Sequence, residues 1–306
     1  MKRWTASDIP DQSGRTAVVT GSNSGIGYVT ARELARRGAR VVLACRNETR
    51  GKEAESHIRS ELPQADVEFV HLDLADLASV RDFARAFGDE RLDLLVNNAG
   101  VMALPHRRTV DGFEMQFGVN HLGHFALTGL LLPRLLDTRG ARVISVSSFA
   151  HTMANIDLRD LNSERGYRRW IAYARSKTAN LLFVHELARR LARAGSDVVA
   201  AATHPGYADT GLHTAGVRME GRRTAEQIVD LARRRFAHPA ETGALPTLHA
   251  ATAPAVAPDS YTGPRRGGRE PGPALRAPWS RNDTAGVRLW GASERLTGVT
   301  YGALEL

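Results

Sequence analysis

A single cysteine in 306 residues, Cys45, leaves nothing from which to build a disulfide framework or a thiolate metal cluster, which fits a reducing compartment or indifference to redox state. Long apolar runs are missing too. The most apolar stretch, FALTGLLLPRLL (125–136), is too short to span a bilayer and carries Pro133 and Arg134. The opening MKRWTASDIPDQSG has two basic residues with no apolar run behind them, so no leader is read there. A cytoplasmic chain without a membrane span is expected. Acidic residues are the minority charge, 33 against 41 lysines and arginines, for a formal net charge of +8. That balance would suit nucleic acid, but the arginines are scattered through amphipathic stretches such as ELARRLARAG and DLARRRFAH, where they make a solvated face. Only GPRRGGRE (263–270) reads as a basic loop. No aromatic residues interleave it as a single-strand platform requires, so no nucleic-acid partner is expected.

What is present is an ordinary globular composition, 42% apolar and 24% charged, on a chain long enough for one large α/β domain. Short apolar runs alternate with helical patterns from residue 16 to about residue 203. The strand candidates are TAVVT (16–20), RVVLA (40–44), VEFVHL (67–72), LDLLVN (92–97), RVISVS (142–147) and DVVAAAT (197–203). Each is nearly all apolar, as a strand covered on both faces must be. Between them lie amphipathic segments such as YVTARELARRG (28–38), closed by Gly38, and ASVRDFARAFG (78–88). Right-handed crossovers then predict a doubly wound parallel sheet of Rossmann type, with ligands at the carboxyl ends of the strands. After residue 204 the pattern weakens. The expectation is one domain over 1–306, with its core at about 14–253, a substrate lid at about 207–240 and an irregular C-terminal arm over 254–306.

VVTGSNSGIGYVTARELARRG runs from a strand through Gly21, Gly25 and Gly27 into a helix. Glycines let the backbone approach a pyrophosphate, and the helix N-terminus offers free N–H groups and a positive dipole end. This placement is far more specific than a lone Gly-rich loop. At the end of the second strand an acidic residue would bind a ribose 2′-hydroxyl and a basic one a 2′-phosphate. The sequence reads VVLACRNETR, with Arg46 at that point, Arg50 close by and no acid before Glu48, which argues for NADP(H). The third strand ends in HLDLADL, where Asp73 can accept from an adenine amino group and Leu74 offers a backbone contact. In YARSK, Tyr173 and Lys177 lie one helical turn apart on one face, and a fixed ammonium would lower the phenol's pKa. The same spacing arises where a lysine stem merely covers a ring, so the pair carries chemistry only beside a cofactor site.

Taken in order, TGSNSGIG (20–27), LDL (72–74), NNAG (97–100), VNHLGHF (119–125), VISVSS (143–148), YARSK (173–177) and HPG (204–206) resemble the short-chain dehydrogenase/reductase family over residues 14–212. The ACRN and VNHLGHF segments look most like retinol-dehydrogenase-like and related bacterial NADP-dependent reductases. The resemblance implies a tetrad of Asn120, Ser148, Tyr173 and Lys177. Tyr173 is the implied acid/base, Lys177 holds the nicotinamide ribose and biases Tyr173 toward phenolate, Ser148 bonds the substrate oxygen, and Asn120 holds a water leading from Lys177 to solvent. Ser145 and Ser147 are then strand residues. It also places Asn23, Ser24 and Ile26 with the glycine loop, Asn98, Ala99 and Gly100 beside the adenine ribose and central strand, and Pro205, Gly206 and Thr210 at the nicotinamide end. The implied activity is hydride transfer between NADP(H) and a carbonyl or alcohol of a lipophilic or polycyclic small molecule; the alternative is a silent NADP-binding sensor or scaffold. Family members commonly form dimers or tetramers through the helices near Asn120 and Tyr173, so a homo-oligomer is the expectation the resemblance implies, with single-domain monomers among the retinol-like members as the alternative.

Other residues carry less. His121 and His124 are three apart and could form half a metal site, but no acid or thiol accompanies them, so no metal is assigned. Tyr167 has no lysine four residues on and is not an alternative base. Trp170 reads as core filling before substrate entrance, His151 and Met153 as loop residues or substrate contacts, and Trp279 and Trp290 as packing residues of the arm. The long insertion FAHTMANIDLRDLNSERGYRRWIA (149–172) is expected to shape the substrate pocket with the 207–240 segment.

Overall fold

The computed structural model describes residues 4–206, 239–265 and 270–304. Eight strands form one sheet: β1 (Thr16–Thr20), β2 (Arg40–Cys45), β3 (Val67–His71), β4 (Leu94–Asn97), β5 (Arg142–Val146), β6 (Val199–Thr203), β7 (Tyr261–Arg265) and β8 (Glu270–Pro273). Their order is β3-β2-β1-β4-β5-β6-β7-β8. All neighbours are parallel except the β7–β8 edge pair. The order reverses between β1 and β4, which opens the crevice where a doubly wound sheet binds ligands.

The all-apolar strands follow from coverage on both faces. Val18 belongs to one hydrophobic core, while its neighbours Ala17 and Val19 belong to the other. Side chains alternate across a sheet, so each face needs its own apolar set. One face is packed by α3 (Leu77–Phe87), α4 (Gly123–Leu136), α5 (Arg169–Arg193) and α7 (Asp283–Thr297). The other is packed by α1 (Gly25–Arg36), α2 (Glu48–Glu61) and α6 (Ala240–Thr252). Caps set the helix ends: Asp76 accepts from the amides of Ala78 and Ser79 at the start of α3, and Gly88 closes it at φ +61°. Strand β4 starts two residues later than expected, because Asp93 turns its carboxylate to the Thr16 amide, 3.0 Å away, and to Arg91.

The residues after 253 are more regular than expected. They supply β7, β8 and the helix α7. The buried Arg276 guanidinium pins them down, bonding Asp259 Oδ1 at 2.6 Å and the carbonyls of Leu181 and Ser280 at 3.0 and 2.8 Å. Trp290 and Tyr301 pack on Phe125 at ring separations of 5.2 and 4.9 Å, and Trp290 stacks on Phe183 at 5.8 Å. These rings cover α4 at Phe125 and α5 at Phe183. The segment 207–238, most of the expected lid, lies outside the described residues together with Thr210. Among the described residues no helix is long and apolar enough to cross a membrane.

Candidate active site

The site is built on the carboxyl ends of β1, β4 and β5 and on the helices behind them. Gly21 follows β1 at φ +65° and Gly25 opens α1 at φ +56°, both in the left-handed region where glycine is unstrained. Gly27 is required for closeness. A Cβ there would stand 2.5 Å from the Gly21 carbonyl oxygen and 2.4 Å from Asn98 Nδ2, so any side chain would force the turn and the helix apart. Asn98 ties the same turn to β4 by donating from Nδ2 to the Thr20 carbonyl at 2.8 Å. The N-cap Ser24 makes no side-chain cap, and the first-turn amides of Ile26 and Gly27 have no helical acceptor behind them. Asn23 completes this turn. The cradle fits a dinucleotide pyrophosphate.

Arg46 follows β2 and is exposed, with no ion pair or hydrogen bond among the described residues. Arg50, also exposed, lies in the first turn of α2. Asp73 sits at the end of β3, half-buried; its Oδ1 accepts from the Ala75 amide at 2.9 Å. Leu74 is buried. On the far side, Pro205 and Gly206 follow β6. Gly206 has φ +71°, and a Cβ there would meet Pro264 Cγ at 2.6 Å. The preceding His204 is structural, with Nδ1 accepting from the Gly206 amide at 3.2 Å.

Asn120, Ser148, Tyr173 and Lys177 are brought together. Tyr173 and Lys177 lie on α5, one turn apart, with Lys177 Nζ 5.8 Å from the centre of the Tyr173 ring. Ser148 follows β5; its hydroxyl accepts from the Ala150 amide at 3.2 Å and lies on the side of Tyr173, whose phenol pKa it lowers. Ser147 points the other way and donates to the Lys177 carbonyl at 2.8 Å. Gly100 closes the space between the tetrad members: a Cβ there would stand 3.2 Å from Asn120 Oδ1 and 3.4 Å from Lys177 Nζ. Ala99 lies just as near Gly21, at 3.0 Å from the Cβ that glycine lacks.

Depth and bonding define the state of these groups. Burial raises the Tyr173 phenol above its usual value, and the Ser148 hydroxyl acts in the opposite direction. Lys177 is itself buried and pushed down to about 8, and its ammonium donates to the Val146 carbonyl at 3.0 Å. The Asn120 amide is also committed. Its Nδ2 donates to the Val101 carbonyl and to Ser176 Oγ, both at 2.9 Å, and its Oδ1 accepts from the Val101 amide at 2.7 Å. With both N–H donors used, any water Asn120 holds must donate to one of its oxygens.

The remaining residues sort themselves by burial. Trp170 is 49% exposed, not core filling, and its ring meets that of Tyr173 edge-on at 6.4 Å. It lines an open groove of about 520 Å³ with Pro105, His106, Tyr167, Arg168 and Ile171. Phe149 and Met153, just after Ser148, are 57% and 56% exposed. His151 is fully buried: Nε2 accepts from the Ala277 amide at 3.1 Å and Nδ1 donates to the Ser148 carbonyl at 2.7 Å, which docks the C-terminal arm on the serine turn. Tyr167 donates to the Leu104 carbonyl at 2.8 Å, and burial raises its phenol far above the usual range. His121 and His124 diverge, one to Ser293 and the other to Thr20, and among the described residues no cluster of three His, Cys, Asp or Glu side chains could hold a metal. Sequence reading passed over Thr20 and Ser176, whose roles emerge only from counting hydrogen bonds across the fold.

The family profile for short chain dehydrogenase matches residues 15–220. Human retinol dehydrogenase 12 is 43% identical over 295 residues, covering 94% of this chain and 88% of that protein. A crystal structure of an uncharacterised protein from Mycobacterium Paratuberculosis superposes with a TM-score of 0.81 at 45% identity, covering 98% of this chain and 99% of that one. A structure from Beutenbergia cavernae, named for an NAD(P) dependent gluconate 5-dehydrogenase and holding NADP, superposes with a TM-score of 0.61 at 30% identity, covering 79% and 91%. With the glycine cradle, the sheet order and the converging side chains already in place, these matches settle the kinship: the chain belongs to the short chain dehydrogenase family.

Proposed function

We propose that the chain transfers a hydride between NADP(H) and a carbonyl or alcohol of a lipophilic small molecule, with Asn120, Ser148, Tyr173 and Lys177 as its catalytic groups. The observation that carries this reading is the convergence of Asn120 and Lys177 on Gly100, next in the chain to the Ala99 that abuts Gly21 of the cradle, with the Tyr173 ring 5.8 Å from the Lys177 ammonium. Arg46, uncommitted at the end of β2, supports a 2′-phosphate and hence NADP over NAD. The exposed Trp170 against the Tyr173 ring, and the exposed Phe149 and Met153 in the turn that follows Ser148, support an apolar substrate, as do the retinol dehydrogenases among the relatives.

Bound in the cradle, the reduced dinucleotide supplies the hydride. The chain supplies the proton and the field. Burial keeps Tyr173 protonated at neutral pH, which suits it to donate to a carbonyl oxygen as that oxygen becomes an alkoxide. Ser148 donates to the same oxygen and stabilises its growing charge. The Lys177 ammonium, held by the Val146 carbonyl, places a positive charge behind the phenol as it gives up its proton.

The test is NADPH oxidation against fatty aldehydes, retinoid aldehydes, steroid ketones and quinones, with Tyr173→Phe as control. Turnover of an apolar carbonyl is expected, and the variant should lose about a hundredfold or more in kcat while binding NADPH as tightly as the native protein. Absence of turnover with every substrate, or full activity in the variant, would overturn the reading.

A further inference from the structure

Thr20 closes β1, and its hydroxyl is fully subscribed. It accepts from the amides of Asn98 and Ala99, each at 2.9 Å, so both lone pairs are used and its proton must go elsewhere. His124 Nε2 lies 2.9 Å away, nearer than the Val96 carbonyl at 3.4 Å. An Nε2 that accepts leaves the ring proton on Nδ1, which stands 3.1 Å from the Asn120 carbonyl. The bonding pattern therefore selects one tautomer. Burial, with Lys177 acting in the same direction, holds this imidazole down to about 4, so it stays neutral across the working range.

Asn120 sits in a wide helical turn, Gly118–Leu122, where the ladder bond runs from the Gly123 amide back to the Gly118 carbonyl. Such π-turns recur at functional sites. From Asn120 the bonds continue: Nδ2 donates to Ser176 Oγ at 2.9 Å, and Ser176 donates to the Tyr173 carbonyl at 2.7 Å. Every donor in this series points the same way; bonds polarise one another within the run that ends on the Asn120 carbonyl and within the run that starts at its side-chain amide, and the Asn120 residue joins the two runs covalently.

We infer that His124 is a positioning residue, joining the cofactor loop to the helix of the reactive tyrosine through a head-to-tail hydrogen-bond chain that runs from Asn98 and Ala99 by way of Thr20, His124, Asn120 and Ser176 to Tyr173. The inference rests on the proposed role of Tyr173. The physical consequence is registry. Hydride donor and proton donor are carried by different elements, β1–β4 with its glycine turn and α5, and small errors in their spacing are costly to a reaction that needs both at one carbonyl. A phenylalanine at 124 would fill the same space yet leave the Thr20 proton and the Asn120 carbonyl without these partners.

The experiment compares the full chain with His124→Phe and His124→Gln; glutamine keeps one donor and one acceptor. NADPH affinity is read from nicotinamide fluorescence, and kcat and substrate KM from steady-state oxidation. His124→Phe should weaken NADPH binding and lower kcat, each by about tenfold, with substrate KM nearly unchanged, and His124→Gln should recover most of both. Values for His124→Phe within twofold of the native protein would overturn the inference. Equal losses in both variants, matched by loss of folded protein in circular dichroism, would also overturn it by assigning His124 to packing alone. Should His124→Phe fail to fold, Ser176→Ala cuts the last two links and leaves those at Thr20 and His124: a lower kcat at unchanged NADPH affinity supports the chain, and an unchanged kcat refutes it. If the native protein turns nothing over, the enzyme reading fails separately, and the NADPH affinities of the two His124 variants still decide the link.

Discussion

Raising the pH should separate activity from stability through Lys177. Its ammonium is buried and lies at about 8, against 10.5 for the ordinary side chain. Between those values the unfolded chain binds a proton that the folded chain has released, so unfolding free energy rises with pH across that window, and the cost of the buried charge is complete below about 8. A lowering of this size corresponds to roughly 3 kcal/mol, the bond to Val146 aside. Catalysis runs the other way. The phenol stays protonated, so the fraction of free enzyme carrying the Lys177 charge sets the upper limb, and kcat/KM should fall about tenfold per pH unit above about 8. Lys177→Met should abolish turnover yet raise stability at pH 7 by about 2 kcal/mol, because the Val146 carbonyl keeps Asn180 Nδ2 at 3.3 Å and the loss of one bond offsets only part of the gain. The measurements are kcat/KM for carbonyl reduction from pH 6 to 10 and urea unfolding at pH 7 and 10. A flat profile to pH 10, or a Lys177→Met protein less stable than the native one at pH 7, would refute the reasoning.

Two further outcomes follow from the cofactor side. Arg46→Asp should weaken NADPH binding by about tenfold or more and bring NADH close to parity, since the substitution removes a cation and adds an anion where the 2′-phosphate would sit; an unchanged NADPH/NADH ratio in steady-state kinetics removes Arg46 from that role. Gly27→Ala puts a methyl 2.5 Å from the Gly21 carbonyl, about 0.9 Å inside an ordinary contact, so the turn or α1 must yield; isothermal titration should show NADPH affinity lower by about tenfold or more, and affinity within twofold would mean the cradle tolerates the shift.

Strand positions, the glycine turn and the YARSK pair were legible in the chain itself because each rests on local chemistry. Period-two burial forces continuous apolar runs, a tight turn against a helix demands glycine, and residues four apart share a helical face. The C-terminal arm was not legible. Its order comes from Arg276, Trp290 and Tyr301 reaching partners far away in sequence, and no local pattern announces such contacts. Charge behaved similarly: the pairing of Tyr173 with Lys177 was legible in their spacing, but the depth that pushes the phenol up and the ammonium down was not.

The order of residues alone thus determined which elements form and which side chains could do chemistry. Tertiary packing decided what those side chains are bonded to: Trp170 stands at the groove, His151 holds the arm, and His124 meets the Thr20 hydroxyl at 2.9 Å. The division is physical, because backbone periodicity is set by neighbours along the chain, whereas desolvation and hydrogen-bond supply depend on what folds over a group from elsewhere.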